Sequence, residues 1–274
     1  MRNVLVRFLP ALFLLTLCAH AAVIELPEVI ELADLNSTAS IDTTGGRGMF
    51  NWTVNGVDHL QQQWFWMRTG QQREYALDAF GGPVAAVVSD RDLNGHNDML
   101  FLRYDHGLYT VEVSYLLTGG EVGSRVSDMA ETIKITSRSQ QPLDLRFFQY
   151  TNLNLSGAAG DDTVEVINAS AVQQQDPFAV FTETVVAPDP SRHEVNAWPA
   201  TLDKLEDDLP SILDNGGGPL TGDATWAFQW DFVLGHYGDT FLISKDKLVT
   251  TPEPATLAVL ACGVLPLMRR RRRS

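Results

Sequence analysis

Cysteine is almost missing from this 274-residue chain. Its two copies, Cys18 and Cys262, lie in apolar stretches near the ends, so the body from Ala22 to Thr251 has none. That excludes a disulfide framework and a thiol nucleophile in the body. At about 230 residues the body can bury an adequate core without such staples. Basic residues are also scarce. The chain carries 20 basic and 34 acidic side chains; setting aside Arg2, Arg7, Arg269 to Arg273 and Glu253 leaves 13 and 33, a net charge of −20. Such a surface repels nucleic acid and anionic lipid, and favours solubility and cation binding.

Long apolar runs are absent as well. Phe8 to Cys18 is interrupted by Pro10 and Thr16, and Ala255 to Met268 has 14 residues. Both fall short of the roughly 18–20 residues of an ordinary membrane span. Catalytic motifs are thin. None of His59, His96, His106, His193 and His236 sits in an HExxH spacing, and there is no GxSxG elbow. Glu206-Asp207-Asp208 and Asp161-Asp162 read as solvated acidic faces. A glycosidase pair of carboxylates is assembled in space rather than in sequence. No catalytic and no cofactor-binding residue is therefore assigned.

The first 21 residues read as a secretory signal peptide. Arg2 and Arg7 supply the positive start, Phe8 to Cys18 the apolar stretch, and Ala19-His20-Ala21 the small residues read by signal peptidase, placing cleavage after Ala21. Bulky Leu17 before Cys18 excludes a lipoprotein signal.

Residues 252–274 have three parts in fixed order: Pro252-Glu253-Pro254, the apolar run Ala255 to Met268, and Arg269 to Arg273. This order resembles the PEP-CTERM sorting signal of Gram-negative bacteria that make extracellular polysaccharide. The resemblance implies recognition of the tripeptide by the membrane protease-transpeptidase exosortase. The physics of the run suits a transient anchor: 14 helical residues span roughly 21 Å, against a hydrocarbon core of roughly 30 Å. The arginines hold the C-terminus in the cytoplasm. The chain is thus expected to be exported, held in the membrane through this tail at least for a time, and then placed on the cell surface or secreted.

The body, residues 22–251, reads as strand after strand. Phe50 to Val54 alternates apolar and polar side chains; Tyr109, Val111, Val113 and Tyr115 share a face, as do Leu143, Leu145 and Phe147. Ala224 to Leu234 and Thr240 to Ser244 follow in kind. Period-two alternation between Gly, Asn, Asp and Pro clusters predicts an all-β fold, one antiparallel β-sandwich or the larger two-sheet supersandwich. Ile133 to Leu155, with Ser137 to Pro142 between its arms, reads as a hairpin. One short helix is expected from Thr201, as N-cap, to Leu213, with Pro210 as a blemish.

Two constellations carry chemistry. Asp90, Asp92, Asn94 and Asp98, with Gly95 at the turn, match the first part of a calcium loop. Phe101 stands where an EF-hand has its bidentate Glu, so the same residues also suit an Asx-rich hairpin turn. Gln61 to Trp66 combines amides and aromatics, the tools of sugar binding, yet Trp64 and Trp66 on one face are also how a sandwich core is filled. Trp226, Phe228 and Trp230 repeat the pattern. The stretches Gln62 to Trp66 and Ala227 to Asp231 resemble those of other exported PEP-CTERM proteins, a resemblance that brings no activity with it.

Together these readings predict an exported, non-enzymatic structural or polysaccharide-associated β-sandwich. Its expected partners are signal peptidase, exosortase and extracellular polysaccharide, and its one candidate ion is calcium. The competing expectation is a carbohydrate-active hydrolase or lyase on a supersandwich.

Overall fold

A computed structural model describes residues 28–121 and 123–251. The signal segment, its cleavage site at Ala21, and the tail with Pro252, Glu253 and Pro254 lie outside the described residues. No helix among the described residues is long and apolar enough to cross a membrane.

The chain weaves between two sheets. Strands β1 (Val29–Asp34), β2 (Ser37–Asp42), β3 (Gly48–Val54), β4 (Val57–Asp58), β5 (Leu60–Thr69) and β6 (Tyr75–Ala76) build sheet I. Strands β7 (Ala85–Ser89), β8 (Met99–Asp105), β9 (Tyr109–Gly119) and β10 (Val126–Ser137) build sheet II. Next, β11 (Leu143–Leu153) returns to sheet I, and β12 (Asp162–Asn168), β13 (Ala171–Gln175) and β14 (Val180–Ala187) join sheet II. After β15 (Arg192–Ala197) in sheet I comes the helix α1 (Ala200–Glu206), then β16 (Leu220–Gly222) in sheet II, β17 (Ala224–Leu234) in sheet I and β18 (Thr240–Thr250) in sheet II.

Sheet I runs in the order β1-β2-β3-β5-β11-β17-β15, with β4 on β3 and β6 on β5; sheet II runs β16-β12-β13-β14-β18-β10-β9-β8-β7. The pairing is antiparallel except where β3 touches β5 in parallel at Gly48 and Met49. Only glycine fits there. Gly48 has φ +63°, and a Cβ on it would sit 2.2 Å from the Trp64 ring and 2.5 Å from the Gln63 carbonyl oxygen. The fold is an all-β antiparallel sandwich of two nine-stranded sheets.

Register explains the core. Rows across β5, β11 and β17 place Met67, Phe147 and Trp230 together, then Phe65, Gln149 and Phe228, then Gln63, Thr151 and Trp226. This face of sheet I meets sheet II. Phe65 stacks on Phe147 at 5.3 Å between ring centres, and Phe181 of β14 lies 6.2 Å from Trp226. Trp52 donates its indole N–H to the Ser127 hydroxyl of β10 at 2.9 Å. The expected role of the tryptophans in packing is what the structure shows.

Two local expectations are overturned. The arms of the expected hairpin lie in different sheets: β10 pairs with β9 and β18, whereas β11 pairs with β5 and β17. Residues 138–142 are an arch across the sandwich. Turn chemistry and alternation are alike in an arch and a hairpin, so the partners of each strand decide. The helix is also shorter than expected and ends at Glu206. Thr201 lies inside it, and Pro199 occupies the N-cap position without a side-chain cap. The chain cannot continue helical towards Pro210, which lacks an N–H and restricts Leu209 before it.

Candidate functional site

The second face of sheet I turns away from sheet II and carries charged groups beneath a covering segment. Trp66 and Arg68 of β5 share it with Arg146, Phe148, Tyr150 and Asn152 of β11, and with Ala227, Gln229 and Asp231 of β17, whereas Trp64 at the edge packs against Tyr104 of β8 at 6.1 Å between ring centres. Arg192, Glu194 and Asn196 of β15 extend the rows. Residues 199–215 lie across this face and are fastened to it by side chains. Arg68 donates to the Ser211 carbonyl at 2.8 Å, and Glu74 accepts the Ser211 N–H at 2.8 Å. Gln229 accepts from the Leu213 N–H at 3.0 Å, and Arg192 donates to the Leu213 carbonyl at 3.3 Å.

Glu194 is the hub. One carboxylate oxygen accepts from the Thr201 hydroxyl at 2.7 Å, Asn196 at 2.6 Å and Lys204 at 2.8 Å; the other accepts from Lys204 at 2.7 Å and the Asp214 N–H at 3.1 Å. Leu205 and Leu213 are buried beneath the segment, while Leu209 stays exposed. Arg68 and Glu74 pair at 3.2 Å, both buried. Burial raises the Glu74 carboxyl above its ordinary value, a rise that the Ser211 N–H and the Arg68 charge only partly offset. Burial likewise lowers Arg68, against the Glu74 charge. The polar groups of the face thus hold the covering segment, while Arg68 Nε, Glu74 Oε2, Tyr150 Oη and Asn152 Oδ1 stay buried without a hydrogen-bond partner among the described residues.

A second polar cluster lies between the sheets. Lys245 of β18 touches Gln149 of β11 and Glu131 of β10, and its Nζ is 3.5 Å from Glu183 of β14. Lys247 donates to Gln63 and to Glu131, each at 2.7 Å. Gln149 Nε2 donates to Glu183 at 2.9 Å and to the Thr151 hydroxyl at 3.2 Å. All four charged residues are buried. Burial pulls Lys247 below its ordinary value despite the opposing Glu131 charge. Burial also acts to raise Glu131, but the two ammonium groups outweigh it and hold that carboxyl low.

Neither cluster was assigned from sequence, although the signal for the second was present. Lys245 and Lys247 alternate with Ile243 and Val249 on the inward side of β18, and Glu131 stands between Met129 and Ile133 on the inward side of β10. Charges at inward positions of long strands mark a buried network.

Residues 90–98 close the β7–β8 hairpin. Carboxylate oxygens of Asp90, Asp92 and Asp98 lie within 4.8 Å of one another. Asn94 turns its amide nitrogen to Asp34 of β1 at 2.7 Å and to Asp92 at 3.1 Å, and its carbonyl accepts the His96 N–H at 3.0 Å. Asp90 accepts the Asn94 and Gly95 N–H groups, and Asp98 that of Arg91. Desolvation raises the Asp90 carboxyl, but the N–H groups of Gly95, Leu93 and Asn94 outweigh it and hold it below its ordinary value. The Asx turn is thus formed, and it gathers three carboxylates that fit a hard cation.

No family model and no curated protein matches this sequence. Solved structures do resemble it. A bacterial glucoamylase complexed with acarbose aligns with a TM-score of 0.54 at 8% identity over 80% of this chain. This chain spans 31% of that glucoamylase. The Synechocystis protein Slr1438 aligns with a TM-score of 0.53 at 10% identity, over 83% of this chain and 97% of its own. The likeness is one of fold.

Proposed function

We propose that this chain is an exported protein of the cell envelope or exterior, released by signal peptidase after Ala21 and sorted by exosortase through residues 252–274. Its body serves as a non-enzymatic structural or polysaccharide-associated sandwich. One observation carries the reading of the body. The polar face of sheet I spends its charged and amide groups on residues 199–215 of its own chain, through Arg68, Glu74, Arg192, Glu194 and Gln229. Paired groups hold a fold together; an active site aims its groups at a substrate. The ends support the sorting half of the proposal by their tripartite order.

Two measurements test it. In a host that has exosortase, a fractionation blot compares the wild-type chain with Glu253→Ala. Glu253 lies outside the apolar run, so the variant inserts but stays unprocessed in the membrane fraction; processing like wild type would overturn the sorting role. A glycan array on the purified chain then reads the body, where binding without turnover is the expected result. Cleavage of a bound glycan would instead favour a carbohydrate-active enzyme, with Glu74 and Glu194 freed by displacement of residues 199–215.

A further inference from the structure

We infer that the sandwich is built to join its two sheets covalently, by an amide bond between Lys245 Nζ and the side-chain carbonyl carbon of Gln149. The two side chains are in contact. Lys245 Nζ touches Gln149 Oε1, and the carbonyl carbon lies one C=O bond, about 1.23 Å, beyond that oxygen. The leaving nitrogen is marked too, because Gln149 Nε2 donates to Glu183 at 2.9 Å. Glu131 also touches Lys245, and its second oxygen is held by Lys247 at 2.7 Å. The side chains of Lys245, Glu131 and Glu183 have no exposed surface. The Phe65 ring centre sits 5.1 Å from Lys245 Nζ. Holding an amine, an amide and two carboxylates in one dry site supplies the high effective concentration that this uncatalysed reaction lacks in solution.

The bonds balance without any further reagent. Lys245 gives one proton to the Glu131 carboxylate, an uphill transfer because the two ammonium groups hold that carboxyl low. The resulting amine attacks Gln149 Cδ while the C=O electron pair moves to Oε1. A second proton passes from Nζ to Nε2 through Glu183, which is near both nitrogens. The C–Nε2 bond then breaks as the carbonyl re-forms. Nε2 departs as ammonia, takes the proton held by Glu131 and leaves as ammonium. A side-chain ammonium and a primary amide have become a secondary amide and free ammonium. Lys247 meets Gln63 in a similar way, but Gln63 Nε2 has no partner to protonate it as it leaves. The link would tie β11 of sheet I to β18 of sheet II across 96 positions of sequence, in a body that has no cysteine to do so.

The test is a tryptic digest of the denatured full chain, read by tandem mass spectrometry. The expected result is one linked species, lighter by one ammonia than the sum of its two peptides, with fragments placing the bond at Gln149 and Lys245. Cleavage after Lys245 is lost. Glu131→Gln, checked for folding by circular dichroism, should yield the two peptides separately. Separate peptides at their sequence masses in the wild-type chain would overturn the inference, as would a bond at Lys247 and Gln63. A folded Glu131→Gln chain that still forms the link would overturn the role given to Glu131. If that variant fails to fold, the wild-type digest decides alone.

Discussion

Lys204 reaches both carboxylate oxygens of Glu194, at 2.8 and 2.7 Å, and so ties helix α1 to the polar face of sheet I. The two partners are unequal. Glu194 is fully buried, whereas the Lys204 side chain keeps 39% of its surface in water.

Their replacement should therefore have unequal effects. Glu194→Ala strips the partner from Thr201, Asn196, Lys204 and the Asp214 N–H, and is expected to cost about 2–4 kcal/mol in urea unfolding. Lys204→Met should cost no more than about 1 kcal/mol, as expected of a half-exposed ion pair. Hydrogen exchange should accelerate across residues 199–215 in the glutamate variant while β9 and β10 stay protected. Uniform acceleration would show that the segment is not a separately fastened unit.

Asp162 gives the fold a dependence on pH. Its carboxylate accepts from Gln174 at 2.6 Å and from the Leu155 N–H at 3.2 Å. Burial nevertheless pushes its pKa up to about 7, aided by the charges of Asp176 and Asp161. The native state then holds a proton that the unfolded chain releases near pH 3.8. This contribution is fully present below pH 3.8, is lost as pH rises, and levels off above about pH 7. Asp162→Asn keeps an oxygen for Gln174 and Leu155 but cannot ionise. The variant should be more stable than wild type at pH 8 by up to roughly 4 kcal/mol, and indistinguishable from it near pH 4. Urea midpoints at the two pH values measure the difference.

Calcium should act through the β7–β8 loop. Three carboxylates within 4.8 Å repel one another, and a bound cation removes that repulsion only in the folded state. Calcium at one hundred times its Kd would add about 2.7 kcal/mol. Replacing Asp90 and Asp92 with Asn should abolish the rise in Tm while leaving the hairpin hydrogen bonds in place. A wild-type Tm unmoved by millimolar calcium would leave the Asx turn as the whole role of the loop.

Much of the strand pattern was legible because one face of most strands is buried. In β9 the buried Tyr109, Val111, Val113 and Tyr115 follow the alternation seen in the sequence. β17 has the expected bounds of Ala224–Leu234. The pattern blurs in β5, where Trp64 to Arg68 are all buried. That strand is covered on one side by sheet II and on the other by chain from far along the sequence. Of the polar face, Trp66 and the stretch Ala227 to Asp231 stand out in the sequence, but their joining to Arg68, Glu74 and Glu194 does not, because these residues stand on segments separated by many residues.

The amino-acid sequence by itself determined the all-β class, the hairpin turn at Asp90 to Asp98 and the burial of the tryptophans, since each rests on periodicity and local hydrogen bonding. It also carries the proposed signal and sorting segments, whose order along the chain is their meaning. Tertiary structure alone decided that β10 and β11 part into different sheets, and that residues 199–215 seal the face of sheet I. It alone brought Lys245 to Gln149, Glu131 and Glu183. The physical reason is the same in each case: these are choices among partners distant in sequence, made by the burial of whole faces and the satisfaction of buried charges.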